Sequence, residues 1–369
     1  MGICADYAMY IHHAHARLSP GFTPETLSSK VGSCPKSTYL HSEHLTKTLL
    51  HIPNVRNWWI PNIEQILEQH AVYVPHMHKF LCKTQITCKL LAQYFRTNKI
   101  HDKSPVDAPL KFMSHSSPDV KKDLDARKMP FYIDYSRFFH SYGSSGRKNT
   151  PALIECWKRH PEWPRLTIVG NKDKKEFGFT DDNVPTNMRI YSRLPIGELR
   201  DLQMRNGIHL CPSQMEGYGH YINEARSLGA LVVTTDAAPM NEMVFDGVNG
   251  ILIYHDKGNL TTKTFPPQFM YEVYLTADEI CSAVERVLAI ELESRVFLGR
   301  EGRVAYDLDT NVMEQNMALI NNETLLHLYQ DGWKQDSKVW EWRLREMDKK
   351  VMQSFKSFSW NPLALFFQN

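Results

Sequence analysis

The 369-residue chain lacks the features that would assign it at once. No stretch approaches the roughly 18 consecutive apolar residues of a membrane span. The N-terminus has no basic region followed by an apolar run and a small-residue cleavage site, so the expected location is cytoplasmic. No G-x-G-x-x-G opens a helix and no G-x-x-x-x-G-K-[ST] is present, which removes sequence support for a dinucleotide oxidoreductase and for a P-loop ATPase. An excess of charge of one sign is also missing. Lys plus Arg number 43 against 41 Asp plus Glu, a balance of +2. A nucleic-acid reader needs a basic stripe to displace counterions, so nucleic acid is not an expected partner. The seven cysteines are odd in number, scattered and without a C-x-x-C pair. They read as reduced, mostly buried thiols rather than a disulfide framework or a zinc ribbon.

What is present is globular. Hydrophobic residues make up 42% and charged residues 23%, close to soluble averages. The length suggests two domains, and the pattern divides them unequally: residues 1–125, residues 126–335, and a tail over 336–369. From about Arg137 short apolar runs alternate with amphipathic segments, the signature of βα units around a parallel sheet. Strands are expected at Arg137 to Tyr142, Arg165 to Val169, Met188 to Tyr191, Gly207 to Cys211, Leu231 to Thr235 and Ile251 to Tyr254. The intervening helices start at Thr150 as N-cap, after Pro195, and at His220, the last stopping at Gly229. Beyond Tyr254 only helices are expected: Ala277 to Leu292, Ser294 to Tyr306, Asn311 to Tyr329 and Gln335 to Phe358. Upstream, strands are expected at Ser37 to Leu40, Trp58 to Ile60, Lys79 to Cys82 and Lys111 to Ser114, with a helix at Gln85 to Phe95 and a linker near Pro130.

The most informative stretch is Pro212 to Glu224, P-S-Q-M-E-G-Y-G-H-Y-I-N-E, between a strand and a helix. Ligands of open α/β sheets bind beyond the carboxyl ends of the strands, where this loop must lie. Gly217 and Gly219 allow close backbone approach, and the helix that follows offers free N–H groups and a positive dipole end, a combination that suits a diphosphate. Glu216 and Glu224 are eight residues apart, roughly 12 Å along a helix, too far for an acid and base pair. They suit instead two separated hydroxyl-bearing parts of one long ligand, as in a sugar nucleotide.

The run Glu216 to Glu224 matches the E-x7-E motif of retaining GT-B glycosyltransferases. Leu231 to Gly250 (L-V-V-T-T-D-A-A-P-M-N-E-M-V-F-D-G-V-N-G) resembles the segment that follows it in glycosyltransferase family four. Weaker echoes lie in Trp59 to Glu64 and Phe80 to Thr84. The resemblance implies an α/β GT-B fold: two Rossmann-like domains, the N-terminal one shortened, plus C-terminal helices, the last returning to the first domain. It implies transfer of a sugar from a UDP- or GDP-linked donor to a glycan, lipid or protein acceptor, with no cofactor and no metal. By position, Glu216 contacts the transferred sugar, Gly217, Tyr218 and Gly219 present the donor loop, Glu224 holds the ribose hydroxyls, and Lys148 stands against the diphosphate, with Ser213 lining the same pocket. The family often carries Arg five residues before that Lys. Here Gly143 occupies the position, with Arg147 as a substitute. His41 or His44 matches the first-domain histidine that meets the donor sugar. A catalytically weak nucleotide-sugar-binding partner of another transferase is the alternative, motivated by the missing Arg and the short first domain.

Other features carry less. The clusters His12, His13, His15 and His76, His78 lack metal-ligand spacing. The triplets Asp123-Leu124-Asp125 and Asp307-Leu308-Asp309 sit in charged or helical surroundings and read as solvated carboxylates. The aromatic and basic residues from Trp340 to Phe367 suit packing on the first domain, or peripheral membrane contact as a second use.

Overall fold

The computed structural model describes residues 38–42, 45, 50, 56–66, 68–97, 110–180, 182–256, 260–261 and 272–321. All belong to the first of two compact units, Met1–Gln330. The expected tail over 336–369, His44 and the His12, His13, His15 cluster lie outside the described residues.

Four parallel strands, β1 (Thr38–Ser42), β2 (Arg56–Ile60), β3 (Lys79–Cys82) and β4 (Leu110–Phe112), form the first sheet in the order 1-2-3-4. Helix α1 (Gln85–Thr97) follows β3. Trp59, Phe80, Leu91 and Phe95 pack one face of this sheet. The first core is aromatic-rich, as suits a small sheet that must exclude water with few side chains.

Helix α2 (Val120–Ala126) leads into the second domain. There β5 (Phe138–Gly143), α3 (Thr150–Arg159), β6 (Leu166–Gly170), β7 (Met188–Ser192), α4 (Ile196–Arg205), β8 (Ile208–Cys211), α5 (His220–Leu228), β9 (Leu231–Thr235), α6 (Met240–Met243) and β10 (Ile251–Ile253) follow in turn. All six strands are parallel, in the order β10-β9-β8-β5-β6-β7. Strands β6, β8, β9 and β10 are buried on both faces and read as largely apolar runs, whereas the edge strand β7 leaves Arg189, Tyr191 and Ser192 exposed. The chain moves outward from β5 to β7 and then returns to the other side of β5 as β8. That reversal makes the carboxyl ends of β5 and β8 the switch point where ligands of such sheets bind.

Several expectations are corrected. Sheet material continues past Tyr254: β11 (Leu260–Thr261) pairs antiparallel with β12 (Glu272–Val273). After α7 (Ala277–Ala289), the two helices expected over 294–306 and 311–329 form one, α8 (Leu292–Asn321). Thr150 is the first helical residue of α3, with Asn149 as N-cap in a left-handed conformation at φ 46°. The cysteines are not all reduced, for Cys82 is bonded to Cys88 and Cys156 to Cys281, and among the described residues Cys211 is a free buried thiol. An odd count concealed two pairs, one local and the other, Cys156 and Cys281, 125 residues apart and brought together only when α3 and α7 pack. Asp309 is not solvated. It is 8% exposed and bonds Arg226 of α5 at 2.7 Å.

Val120 and Leu124 of α2 lie in the core of the second domain, and Arg303 of α8 grips the N-cap carboxylate of α2, Asp119, with both terminal nitrogens at 2.9 and 2.7 Å. Further along α8, Met313 and Met317 pack on Trp58, Ile60 and Leu81 of the first sheet. One long helix therefore binds both layers.

Candidate active site

Two loops meet at the switch point. The first, residues 144–149, leaves β5. The second, residues 212–219, leaves β8. Asn149 joins them: its Nδ2 donates to the Pro212 carbonyl at 2.9 Å and to the Val273 carbonyl at 3.3 Å, and its Oδ1 accepts from Gln214 Nε2 at 3.1 Å. Its left-handed backbone suits asparagine, one of the few residues other than glycine at ease there. The second loop is tethered along its length. Thr235 Oγ1 donates to the Ser213 carbonyl at 2.6 Å, the Gln214 amide donates to the Arg147 carbonyl at 2.9 Å, and the Val273 amide donates to the Gln214 carbonyl at 2.9 Å. Neither Asn149 nor the β12 segment was singled out by sequence. Apart from the bond to the Gln214 side chain, these contacts are to backbone carbonyls and amides, which leave no residue-type pattern to read.

Lys148 and Glu216 form an ion pair in this frame, with side chains 12% and 15% exposed. Ser213 Oγ accepts from Lys148 Nζ at 3.3 Å and donates to the same Glu216 oxygen. Since the single hydroxyl proton of Ser213 is committed to Glu216, the contact at 2.5 Å with Tyr221 must have the phenol as donor. Burial raises the Tyr221 ionisation well above its ordinary range, which keeps that proton in place. The Tyr221 ring also lies 3.7 Å from the ammonium. Lys148 is thus held by a carboxylate, a hydroxyl and an aromatic face.

Glycine matters at two points of the loop, through close approach of a side chain at Gly217 and through backbone conformation at Gly219. A Cβ on Gly217 would collide with the carboxylate of Glu64, which reaches across from the turn after β2. Gly219 has φ +108° and precedes the first turn of α5, and a Cβ there would lie 2.8 Å from Met243 Cε. Met215 inserts into the first-domain core beside Trp59 and Ile63. Tyr218 is buried, donates to the His115 carbonyl at 2.7 Å and stacks edge-on with the His115 ring at 4.5 Å. It braces the loop from behind.

The remaining expected residues are placed differently. Glu224 sits one turn into α5, where Arg200 Nη1 at 2.9 Å and Gln203 Nε2 at 3.2 Å both donate to Oε2. It is anchored apart from the Lys148 and Glu216 pair. Gly143 ends β5 at φ +55° with open space around it, and Arg147 is exposed with no ion pair among the described residues. His41 lies buried in the first sheet, its Nε2 at 3.0 Å from Asn57 Oδ1, and burial lowers its ionisation.

Beneath the loops, His140 of β5 is fully buried. Nδ1 faces the Leu210 carbonyl at 2.9 Å, which can only accept, so Nδ1 carries the proton and Nε2 accepts from Thr150 Oγ1 at 2.9 Å. This neutral imidazole pins β8 and the start of α3 to β5. Burial lowers it to about 4, and lowers His209, which meets the Gln203 carbonyl at 2.8 Å, to about 4 as well. Both native values lie below the ordinary 6.5, so between those limits the unfolded chain binds protons that the native chain refuses. Their stabilisation is complete above about pH 6.5 and is lost as pH falls toward 4, by up to about 1.4 kcal/mol per pH unit for each group. Melting curves from pH 7 to 5 should show a falling midpoint, with a shallower fall in His209→Gln. An equal fall in that variant would refute the assignment.

Two parallel α/β sheets, the second with a glycine loop and a fixed cation at its switch point, are the arrangement expected of a GT-B fold. Comparison with known proteins agrees. Residues 134–259 match the family described as glycosyl transferases group 1, in line with the E-x7-E resemblance. Alpha-maltose-1-phosphate synthase of Mycobacterium tuberculosis is 35% identical over 72 residues, 20% of this chain and 19% of that protein. The chain thus spans about a fifth of the curated relative it matches. Among solved structures, the GtfA/B complex aligns with TM-score 0.57 at 10% identity over 81% of this chain and 60% of that one. Anabaena HepE in complex with UDP and glucose aligns with TM-score 0.53 at 14% identity over 82% of this chain and 81% of that one. These structural likenesses establish the GT-B fold.

Proposed function

We propose that this protein is a glycosyltransferase that moves a sugar from a nucleotide-diphosphate donor to a hydroxyl acceptor. The observation that carries the reading is the Lys148, Glu216 and Ser213 cluster beside the Gly217 to Gly219 loop at the switch point. A preorganised cation and free helix amides are what a departing diphosphate requires, because charge grows on it as the glycosidic bond breaks. Glu216 meets the transferred sugar, and Glu224, whose Oε1 is left for a ligand when Arg200 and Gln203 hold Oε2, takes the ribose hydroxyls. The complex of Anabaena HepE with UDP and glucose favours a uridine donor and a hexose.

The reaction in this reading retains configuration and needs no metal, with the departing diphosphate accepting the acceptor's proton. Separate anchoring of Glu216 and Glu224 accords with it, since a double-displacement hydrolase needs two carboxylates about 5 to 5.5 Å apart. The acceptor is a glycan, lipid or protein. No helix among the described residues is long and apolar enough to cross a membrane. The cytoplasmic expectation is not carried forward, because two disulfides in a chain of this kind suit an oxidising compartment.

A second reading, a nucleotide-sugar-binding partner with weak catalysis, is favoured by one observation: Gly143 replaces the family's second cation, and Arg147 points to solvent. A thermal-shift screen against UDP, GDP and ADP is expected to raise Tm selectively with one nucleotide, following RT ln(1 + [L]/Kd). No shift with any would remove both readings, and a shift without donor consumption across an acceptor panel would favour the second.

A further inference from the structure

The four amide donors at the start of α1 can be accounted for one by one. Thr84 Oγ1 accepts from the Thr87 amide at 3.3 Å, and the Thr84 carbonyl accepts from the Cys88 amide at 3.4 Å. The other two, Gln85 and Ile86, donate to the two carboxylate oxygens of Glu242, each at 2.7 Å. Glu242 belongs to α6 of the second domain, so a carboxylate from one domain completes the helix cap of the other. Such a contact is charge-assisted and lies at the positive end of a 13-residue helix. Gln85 and Ile86 are only half-buried, so water can replace the carboxylate when the domains part.

The same short helix touches the donor loop. Met243, next to Glu242, backs directly on Gly219, and Glu64 of the first domain reaches Gly217 in the opposite direction. The Cys82–Cys88 bond staples the receiving end by tying the last residue of β3 to the first turn of α1. Rigid material therefore runs from the amides of α1 through α6 to the residue that opens α5.

We infer that Glu242 is a positioning residue: a cross-domain latch whose engagement with the N-terminus of α1 holds the cleft closed and sets the donor loop against the first domain. The inference rests on the reading of the Gly217 to Gly219 loop as the donor loop. Closure of this kind excludes water and completes the reacting constellation.

The test compares the full chain with Glu242→Ala and Glu242→Gln, the latter keeping size while losing the second acceptor. Hydrogen exchange at Gln85 and Ile86 is expected to rise by about tenfold or more in Glu242→Ala, accompanied by faster exchange at Gly217 to Gly219 and a larger radius of gyration by X-ray scattering, with Glu242→Gln intermediate. UDP should shrink the wild type and not Glu242→Ala. In turnover, donor KM should rise about tenfold with a smaller change in kcat. Faster exchange confined to Gln85 and Ile86, with scattering, loop exchange and KM unchanged, would reduce Glu242 to a local cap and overturn the latch. Exchange and scattering need no turnover, so a wild type that consumes no donor would refute the proposed activity while leaving the latch decided by those two measurements.

Discussion

Replacing Lys148 by alanine is expected to slow release of nucleoside diphosphate from the donor by about 10²- to 10³-fold, the scale seen when one preorganised charge-stabilising group is removed. The ammonium is fixed by Glu216, by Ser213 Oγ at 3.3 Å and by the Tyr221 ring at 3.7 Å, so no reorganisation is needed as the diphosphate departs. Because that group acts on developing charge, the loss should fall on kcat with little change in donor KM. Lys148→Arg should recover little, for a planar fork does not fit a site shaped around a point charge and a ring face. Glu216→Ala should be nearly as damaging, because it removes both the contact to the sugar and the partner that positions Lys148. Single-turnover assays with a panel of nucleotide sugars, alongside far-UV circular dichroism, would check both. A Lys148→Ala enzyme within about twofold of wild type would remove the proposed mechanism.

The largest effect on stability is expected at Arg226. This side chain is 1% exposed, donates to Asp309 Oδ2 at 2.7 Å and to Asn223 Oδ1 at 2.7 Å, and burial lowers it to about 10, so it stays cationic near neutrality. Asp309→Ala leaves that cation inside the protein without its counter-charge, at a cost of about 3 to 5 kcal/mol. In a protein of this size the melting midpoint should fall by about 4 to 6 °C. Replacing both partners, Arg226→Met with Asp309→Leu, should restore most of the loss, because the pair's attraction largely offsets its desolvation cost and an apolar pair avoids both. A midpoint for Asp309→Ala within about 2 °C of wild type would contradict this account. The pair joins α5, which opens at the donor loop, to α8, which binds both layers, so the damage should spread to the site.

Much of this arrangement was legible beforehand, and the exceptions share a cause. The strand Lys79 to Cys82 agrees with its sequence reading residue for residue, and Leu231 to Thr235 likewise, because a fully buried parallel strand must be a continuous apolar run. Helix α5 ends at Gly229 in the expected left-handed stop. Lys148, Ser213 and Glu216 were each named and are brought together. Asp309 was misread because its partner lies 83 residues away, and local charge density cannot reveal a distant arginine. The same applies to Cys156 and Cys281, to Asn149 and to Glu242.

The sequence by itself determined the period of each element, the order of βα units and therefore the strand ends at which the glycine-bearing loop must fall, since these follow from local hydrophobic pattern and turn chemistry. Only the tertiary structure decided what those loops touch. That Glu64 faces Gly217, that Glu242 caps α1 and that α8 seals Trp58, Ile60 and Leu81 are consequences of how two sheets are held together. Contacts between segments remote in the chain carry no period, and a carboxylate that serves a neighbour's backbone leaves no signature in its own surroundings.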